Sequence, residues 1–176
     1  MEAMPKKKVI YLAGPIDKVS PKWATEWRKK ATEVLESKNC RVLDPTSGKN
    51  LNLPGVNDNV YTPKQIVEAD IKAIDKAHVV IVDWRKLPLL KRLWNFITTG
   101  HSDPMWVGTS MEVMHAHRTG KFIYTFGTMR KGYWIRHHAD LFFYSLDDVL
   151  RFITTNSAFI MGSEIIRRED CISFKK

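Results

Sequence analysis

His78-Val79-Val80-Ile81-Val82, closed by Asp83, is a continuous apolar run that stops at a carboxylate. Its β-branched residues favour an extended chain, and no polar residue alternates with the apolar ones. Such a run reads as a strand buried on both faces, the kind found in parallel sheets. Working outward, Val9-Ile10-Tyr11-Leu12-Ala13 before Gly14-Pro15 has the same character, as do residues 121–126. Two shorter strands are expected at residues 41–43, leading into Asp44-Pro45, and at residues 141–144.

Helical spacing fills the intervals. Trp23, Trp27, Ala31, Val34 and Leu35 recur with helical period after Ser20-Pro21, a good N-cap and first-turn pair. Thr62-Pro63 opens a helix with Ile66, Ala69, Ala73 and Ile74 on one side. Leu89, Leu90, Leu93, Trp94, Phe96 and Ile97 suit an amphipathic helix ended by Thr98-Thr99-Gly100. A further helix is expected to begin at Gly108-Thr109-Ser110 and stop at Gly120, and a closing one spans residues 146–153. Residues 46–62 read as a loop, and residues 156–176 form a tail without firm pattern. Alternating strands and helices imply an α/β fold: a single-domain flavodoxin/Rossmann-like three-layer sandwich with a mostly parallel sheet of about five strands, its core at residues 8–153.

Composition narrows the class. The 176 residues suit one domain, since chains of this size bury roughly 70% of their unfolded surface. With 44% hydrophobic and 27% charged residues, wholesale disorder is excluded. No apolar run approaches the roughly 20 residues of a membrane helix, and the start of the chain lacks a signal-peptide core, so a cytoplasmic protein is expected. Two distant cysteines, Cys40 and Cys171, build neither a Cys-rich zinc site nor a disulfide scaffold. His115 and His117 are two apart on a helix, and His137-His138 are adjacent; neither is metal-ligand spacing. No Gly-x-Gly-x-x-Gly and no P-loop occur. No metal and no cofactor are therefore expected.

In open α/β sheets ligands bind at the carboxyl ends of strands. That rule selects Gly14-Pro15-Ile16-Asp17, Asp83, and the turn Gly108-Thr109-Ser110-Met111-Glu112. Gly14 admits close backbone approach, and the helix start near Thr109 supplies free N–H groups and a positive dipole end. Glu112 has two readings: a carboxylate presented as nucleophile or base, or the glutamate of a Thr109-x-x-Glu112 capping box. Asp70, on the helix before the third strand, reads equally as a solvated charge or as part of a site.

Taken together and in order, these pieces resemble a known family. They are Ile10-Tyr11-Leu12-Ala13-Gly14-Pro15-Ile16, Trp27-Arg28, Ala69-Asp70-Ile71, Ala77-His78-Val79-Val80-Ile81-Val82, and Gly108-Thr109-Ser110-Met111-Glu112-Val113 with Gly120-Lys121. The order and spacing are similar to those of the nucleoside 2-deoxyribosyltransferase family, whose superfamily includes N-glycosidases of nucleoside 5′-monophosphates. Tyr133-Trp134-Ile135-Arg136-His137-His138-Ala139-Asp140 looks like a Trp-containing segment found late in many members.

The resemblance implies an enzyme that cleaves or exchanges the N-glycosidic bond of a (deoxy)nucleoside or nucleotide. Glu112 matches the nucleophile at the sugar C1′, Asp70 the acid near the departing base, and Tyr11 the tyrosine that orients the glutamate. Gly14, Pro15, Ile16, Asp83, Gly108, Thr109, Ser110, Trp134 and His138 are the implied substrate-binding positions. A homodimer or higher homo-oligomer is implied too, with Tyr133 to His138 acting across subunits. Residues 84–106 are long for the family and suit a lid or an interface helix. Trp106 stands where many transferases have Asp, and Pro15-Ile16-Asp17 replaces the Ser-Ile-Arg of monophosphate glycosidases. Arg130, Lys131 or Arg136 are left to meet a phosphate.

The alternative is a catalytically silent nucleotide- or nucleic-acid-binding protein, motivated by 28 Lys+Arg against 19 Asp+Glu, a net charge of +9, and six Trp. The cations fall at the termini and on helix faces such as Arg28-Lys29-Lys30, the pattern of a solvated basic surface rather than a groove for a polymer. Nucleic acid is therefore not the expected partner.

Overall fold

Five strands form one sheet in the order β2-β1-β3-β4-β5, each neighbouring pair parallel. The computed structural model describes residues 7–17, 19–47, 62–99, 106–128 and 132–155. The strands are β1 (Val9–Ala13), β2 (Arg41–Leu43), β3 (Val79–Trp84), β4 (Phe122–Gly127) and β5 (Leu141–Phe143). The helices are α1 (Pro21–Glu36), α2 (Pro63–Lys76), α3 (Leu89–Thr99), α4 (Val107–Arg118), α5 (Tyr133–His138) and α6 (Leu146–Thr155). The α/β class and the parallel five-stranded sheet expected from the sequence are what the structure has. Residues 48–61, Arg130, Lys131 and the tail at 156–176 lie outside the described residues.

The strands are buried because helices cover both faces, and side-chain alternation sorts them. Ile10, Leu12, Val79, Ile81 and Phe126 pack with Trp27, Ala31 and Leu35 of α1 and with Val149, Leu150 and Ile153 of α6. On the other face Tyr11, Ala13, Val80, Val82 and Trp84 pack with Ile74 of α2 and with Val113 and Ala116 of α4. Local chemistry starts the helices as expected. Ser20 Oγ accepts the Trp23 N–H at 3.3 Å, and Thr62 and Gln65 form a reciprocal capping box ahead of α2.

Three details differ from the sequence reading. β3 does not end at Asp83 but runs on to Trp84, because its pairing with β4 continues to Trp84 opposite Gly127. Gly127 has φ +114°, and a Cβ there would lie 2.6 Å from Arg85 N and Trp84 C; no other residue fits. The second difference is the start of α4. Ser110 N–H bonds Trp106 O at 2.8 Å, which closes the first turn at Trp106 and makes Val107 the first helical residue. The third is α3. It forms where the periodicity places it, yet Leu89, Leu90, Leu93, Trp94, Phe96 and Ile97 are 56–82% exposed. No described helix is long and apolar enough to cross a membrane.

Candidate active site

The order in which strands are added reverses between β1 and β3, and in parallel sheets ligands bind at the carboxyl ends of strands beside such a switch point. Tyr11, inside β1 between Leu43 of β2 and Val80 of β3, is fully buried on the α2/α4 face. Its hydroxyl donates to Glu112 Oε1 at 2.6 Å, a short bond from a neutral donor to a carboxylate. Burial, then the charge of Glu112, then that of Asp70 push the Tyr11 pKa far above its ordinary value, so the phenol remains a hydroxyl donor at any working pH. Glu112 of α4 and Asp70 of α2 thus both lie within electrostatic reach of Tyr11 in β1.

Glu112 arrives there by a route the sequence reading did not anticipate. Trp106 is the N-cap of α4 and makes no side-chain cap bond, so the Thr109-x-x-Glu112 capping box does not form. Glu112 sits in the second turn, beyond the reach of the strongest N-terminal dipole effect. Thr109 is buried in the first turn. A cap is needed to tie a glutamate to the backbone; with the cap one turn away, Glu112 turns to Tyr11 instead.

Gly14 ends β1, and what approaches it is the protein itself. A Cβ at this position would lie 3.0 Å from Trp27 Cζ2, 3.1 Å from Asp83 Cβ and 3.3 Å from Arg28 Nη2. Pro15 beside it is buried, Ile16 half-buried and Asp17 exposed. Around Gly108, in contrast, a side chain would meet nothing within 4 Å.

Asp83 departs from its expected role as a ligand residue. It is fully buried, and alternation along β3 turns it toward the α1/α6 face, away from Tyr11. Arg85 claims both its oxygens: Oδ1 accepts from Arg85 N and Nε, and Oδ2 from Nη2, each at 2.9 Å. The guanidinium of Arg85 lies over the rings of Trp23 and Phe126. The strand-end carboxylate is an internal ion pair.

Ser110, Trp134 and His138 come together, but apart from the carboxylates. With Trp84, Val113, Met114 and Ile135 they line a cavity of about 230 Å³. Ser110 and Met114 lie two residues to either side of Glu112, roughly 200° around α4, so this cavity and the Tyr11–Glu112 pair occupy opposite flanks of one helix. Trp134 stacks on His138, ring centroids 5.7 Å apart, and His138 Nδ1 lies 2.7 Å from Trp134 O. His117 and His137 approach the same ring at 4.8 and 4.9 Å. Among the described residues no group of three or more His, Cys, Asp or Glu is placed to hold a metal ion.

Sequence reasoning missed Arg28. Beside Lys29 and Lys30 it reads as surface charge, yet it is fully buried. The signal was present: Ala24, Arg28, Ala31 and Leu35 fall on one helical stripe, and the other three are apolar. Its guanidinium donates to Gly14 O at 2.7 Å and to Ala24 O, and its Nε lies 3.6 Å from Asp44 Oδ1.

No family model and no curated protein match the sequence. Solved structures do. A 2-deoxyribosyltransferase from Bacillus psychrosaccharolyticus is 16% identical with a TM-score of 0.53, over 81% of this chain and 90% of that one. The Clostridium botulinum CMP N-glycosidase BcmB is 18% identical with a TM-score of 0.52, over 83% and 98%. A molybdenum cofactor binding protein from Rippkaea orientalis is 12% identical with a TM-score of 0.51, over 87% and 98%. The third match shows that a binding protein also uses this architecture. The sheet order and these matches agree on one point: this chain has the fold of the nucleoside 2-deoxyribosyltransferases, the family its motifs resemble.

Proposed function

We propose that this protein cleaves or exchanges the N-glycosidic bond of a (deoxy)nucleoside or nucleoside monophosphate. The observation that carries the reading is the 2.6 Å hydrogen bond from Tyr11 to Glu112, with Asp70 within electrostatic reach of Tyr11, beside the β1/β3 switch point. Fold alone would not suffice, since folds host many functions.

In this reading a Glu112 carboxylate oxygen forms a bond to C1′ as the C1′–N bond breaks. The electron pair leaves with the base, which takes a proton from the Asp70 side. Water then opens the glycosyl ester and gives hydrolysis, or a nitrogen of a second base opens it and gives transfer. Tyr11 holds one carboxylate oxygen by donating to it, which leaves the other free to attack. We place this chemistry in nucleotide salvage in the cytoplasm.

The test is chromatography of base released from the common nucleosides and their 5′-monophosphates, with and without a second base as acceptor. Release from at least one substrate is expected. Tyr11→Phe is expected to lower its kcat by about 10- to 100-fold, the value of a hydrogen bond to a charged group, while the variant remains folded. A phenylalanine variant with wild-type kcat would remove Tyr11 from the mechanism. The silent binding protein is the second reading, favoured by the +9 charge and by the fold shared with a cofactor-binding protein. Salt-sensitive retardation of DNA or RNA, without base release from any substrate, would establish it in place of the enzyme.

The same proposal includes a second copy of the chain on α3. Six large apolar side chains exposed on one eleven-residue helix form a patch that water-facing monomers rarely keep. Leu90→Asp, at the most exposed of these positions, is expected to shift the sedimenting species toward the monomer. An unchanged mass would take α3 out of the interface.

A further inference from the structure

Ser110, Trp134 and His138 share a cavity that the reaction set out above does not use. Its volume is about 230 Å³. Apolar cavities of roughly 150 Å³ take up benzene, and drug-sized pockets start near about 300 Å³, so this one suits a single ring or two fused rings. Trp84, Val113, Met114 and Ile135 complete the wall, and no Asp, Glu, Lys or Arg lines it. A charged ligand would lose its hydration there and gain no counter-ion, so the wall selects a neutral one.

Two polar groups interrupt the apolar wall, and both are unused. His138 is 8% exposed, and its Nδ1 lies 2.7 Å from Trp134 O. A carbonyl oxygen only accepts, so the proton of this contact is on Nδ1, and in the neutral ring Nε2 keeps a lone pair. Nε2 has no partner among the described residues and is not sealed in by protein. Three rings fix its direction. Trp134 lies nearly parallel to the imidazole, at 17°, while His117 and His137 meet it edge to face at 68° and 82°. The second group is the Ser110 hydroxyl. The Ser110 N–H closes the first turn of α4, and the hydroxyl has no partner among the described residues. A buried acceptor held this firmly lowers stability unless something donates to it. A water would find only these two partners in an otherwise apolar space, the low end of what holds one in order.

We propose that this cavity is a binding site for a neutral, planar heterocycle of one or two rings that carries an N–H and a carbonyl. The N–H donates to His138 Nε2, the carbonyl accepts from the Ser110 hydroxyl, and the ring packs against Trp84 and Trp134. The site lies on the other flank of α4 from Glu112 and stands independently of the glycosidic reading.

Three probes of similar size test it on the full chain, read by the 15N signals of labelled histidine and by tryptophan fluorescence. 2-Quinolone has both polar groups, N-methyl-2-quinolone lacks the donor, and naphthalene lacks both. 2-Quinolone is expected to bind about 10-fold more tightly than its N-methyl form, the value of one hydrogen bond. It should also move one histidine Nε2 signal that the other probes leave in place. His138→Gln should lack that signal and the preference. Ser110→Phe, whose ring would enter the cavity from an exposed position, should lose all three probes. If the His138 variant does not fold, the ratio between probes carries the test on the wild type alone. Equal affinity for the three, with the histidine signals unmoved, overturns the polar recognition. No binding up to the solubility of each probe overturns the site, as does wild-type affinity in Ser110→Phe. Fluorescence that follows protein concentration and ignores the probes gives the cavity to a second copy of the chain instead. Glu112→Gln should bind 2-quinolone as the wild type does, so failure of this site and failure of the functional reading are told apart.

Discussion

Glu112→Gln is expected to lower base release by about 10⁴-fold or more, the scale seen when a covalent nucleophile is removed. The substitution is close to isosteric. Its amide oxygen can still accept the Tyr11 hydroxyl, so the pair now at 2.6 Å keeps its hydrogen bond and loses only the charge and the nucleophile. Stability should therefore change little, and a thermal scan within a few degrees of wild type checks that the loss is chemical. Mass spectrometry of quenched reactions supplies the second measurement: a glycosyl adduct on the wild type and none on the variant. A glutamine variant that keeps a tenth of the wild-type rate would sink the covalent mechanism. The competing role as a helix cap predicts a stability loss of about 1 kcal/mol for Glu112→Ala and no kinetic effect of the glutamine. The position of Glu112 in the second turn of α4, behind an N-cap at Trp106, already stands against it.

The largest expected effect on stability is at Gly127. Alanine there must adopt φ +114°, and its Cβ would sit 2.6 Å from the backbone of both Trp84 and Arg85. Backbone atoms cannot rotate out of the way as a flexible side chain can. Positive-φ strain costs on the order of 1–3 kcal/mol, and the displaced backbone adds to it, so a loss of about 3 kcal/mol is expected. For a chain of this length that is a fall in Tm of about 10 °C. Urea unfolding of Gly127→Ala should show a lower midpoint with an unchanged slope. A midpoint equal to wild type would mean that the β3 and β4 exits are looser than they stand here. Trp84 also walls the cavity beside α4, so the same variant should weaken whatever that cavity holds.

Much of this fold was legible in the sequence because buried parallel strands announce themselves. Runs such as Val79-Val80-Ile81-Val82 have no polar position to spare, and Ser20-Pro21 and Thr62-Pro63 mark helix starts by chemistry that acts within four residues. Tyr11, Asp70 and Glu112 were legible only as members of a resemblance; no local pattern says that residues 11 and 112 meet. What local patterns said about Glu112 was misleading, since Thr-x-x-Glu spells a capping box whatever the helix does. A turn closed by the Trp106 carbonyl decides otherwise. Asp83 was misjudged because its fate depends on Arg85 two residues on and on which face of β3 it takes. Arg28 was lost for a different reason: a basic residue flanked by Lys29 and Lys30 looks like surface, although its helical stripe is apolar. On a helix the neighbours that decide burial lie one turn away, here Ala24 and Ala31, not beside the residue in sequence.

The strand order has a consequence for how the site comes into being. β1 is near the start of the chain but central in the sheet, and its partner β3 lies far along: Ile10 pairs with Val79. The tyrosine and its carboxylate are 101 residues apart. At translation speeds of 5–20 residues per second, Tyr11 emerges roughly 5–20 s before Glu112 exists to receive its proton donor. Until residues 79–84 emerge, the first strand has only β2 on one edge, and its other edge remains a template for any extended segment that reaches it. Pairing over such separations is slow, and the Tyr11–Glu112 pair is among its last products. A nascent chain stalled before α4 would carry a tyrosine hydroxyl in place and nothing for it to hold.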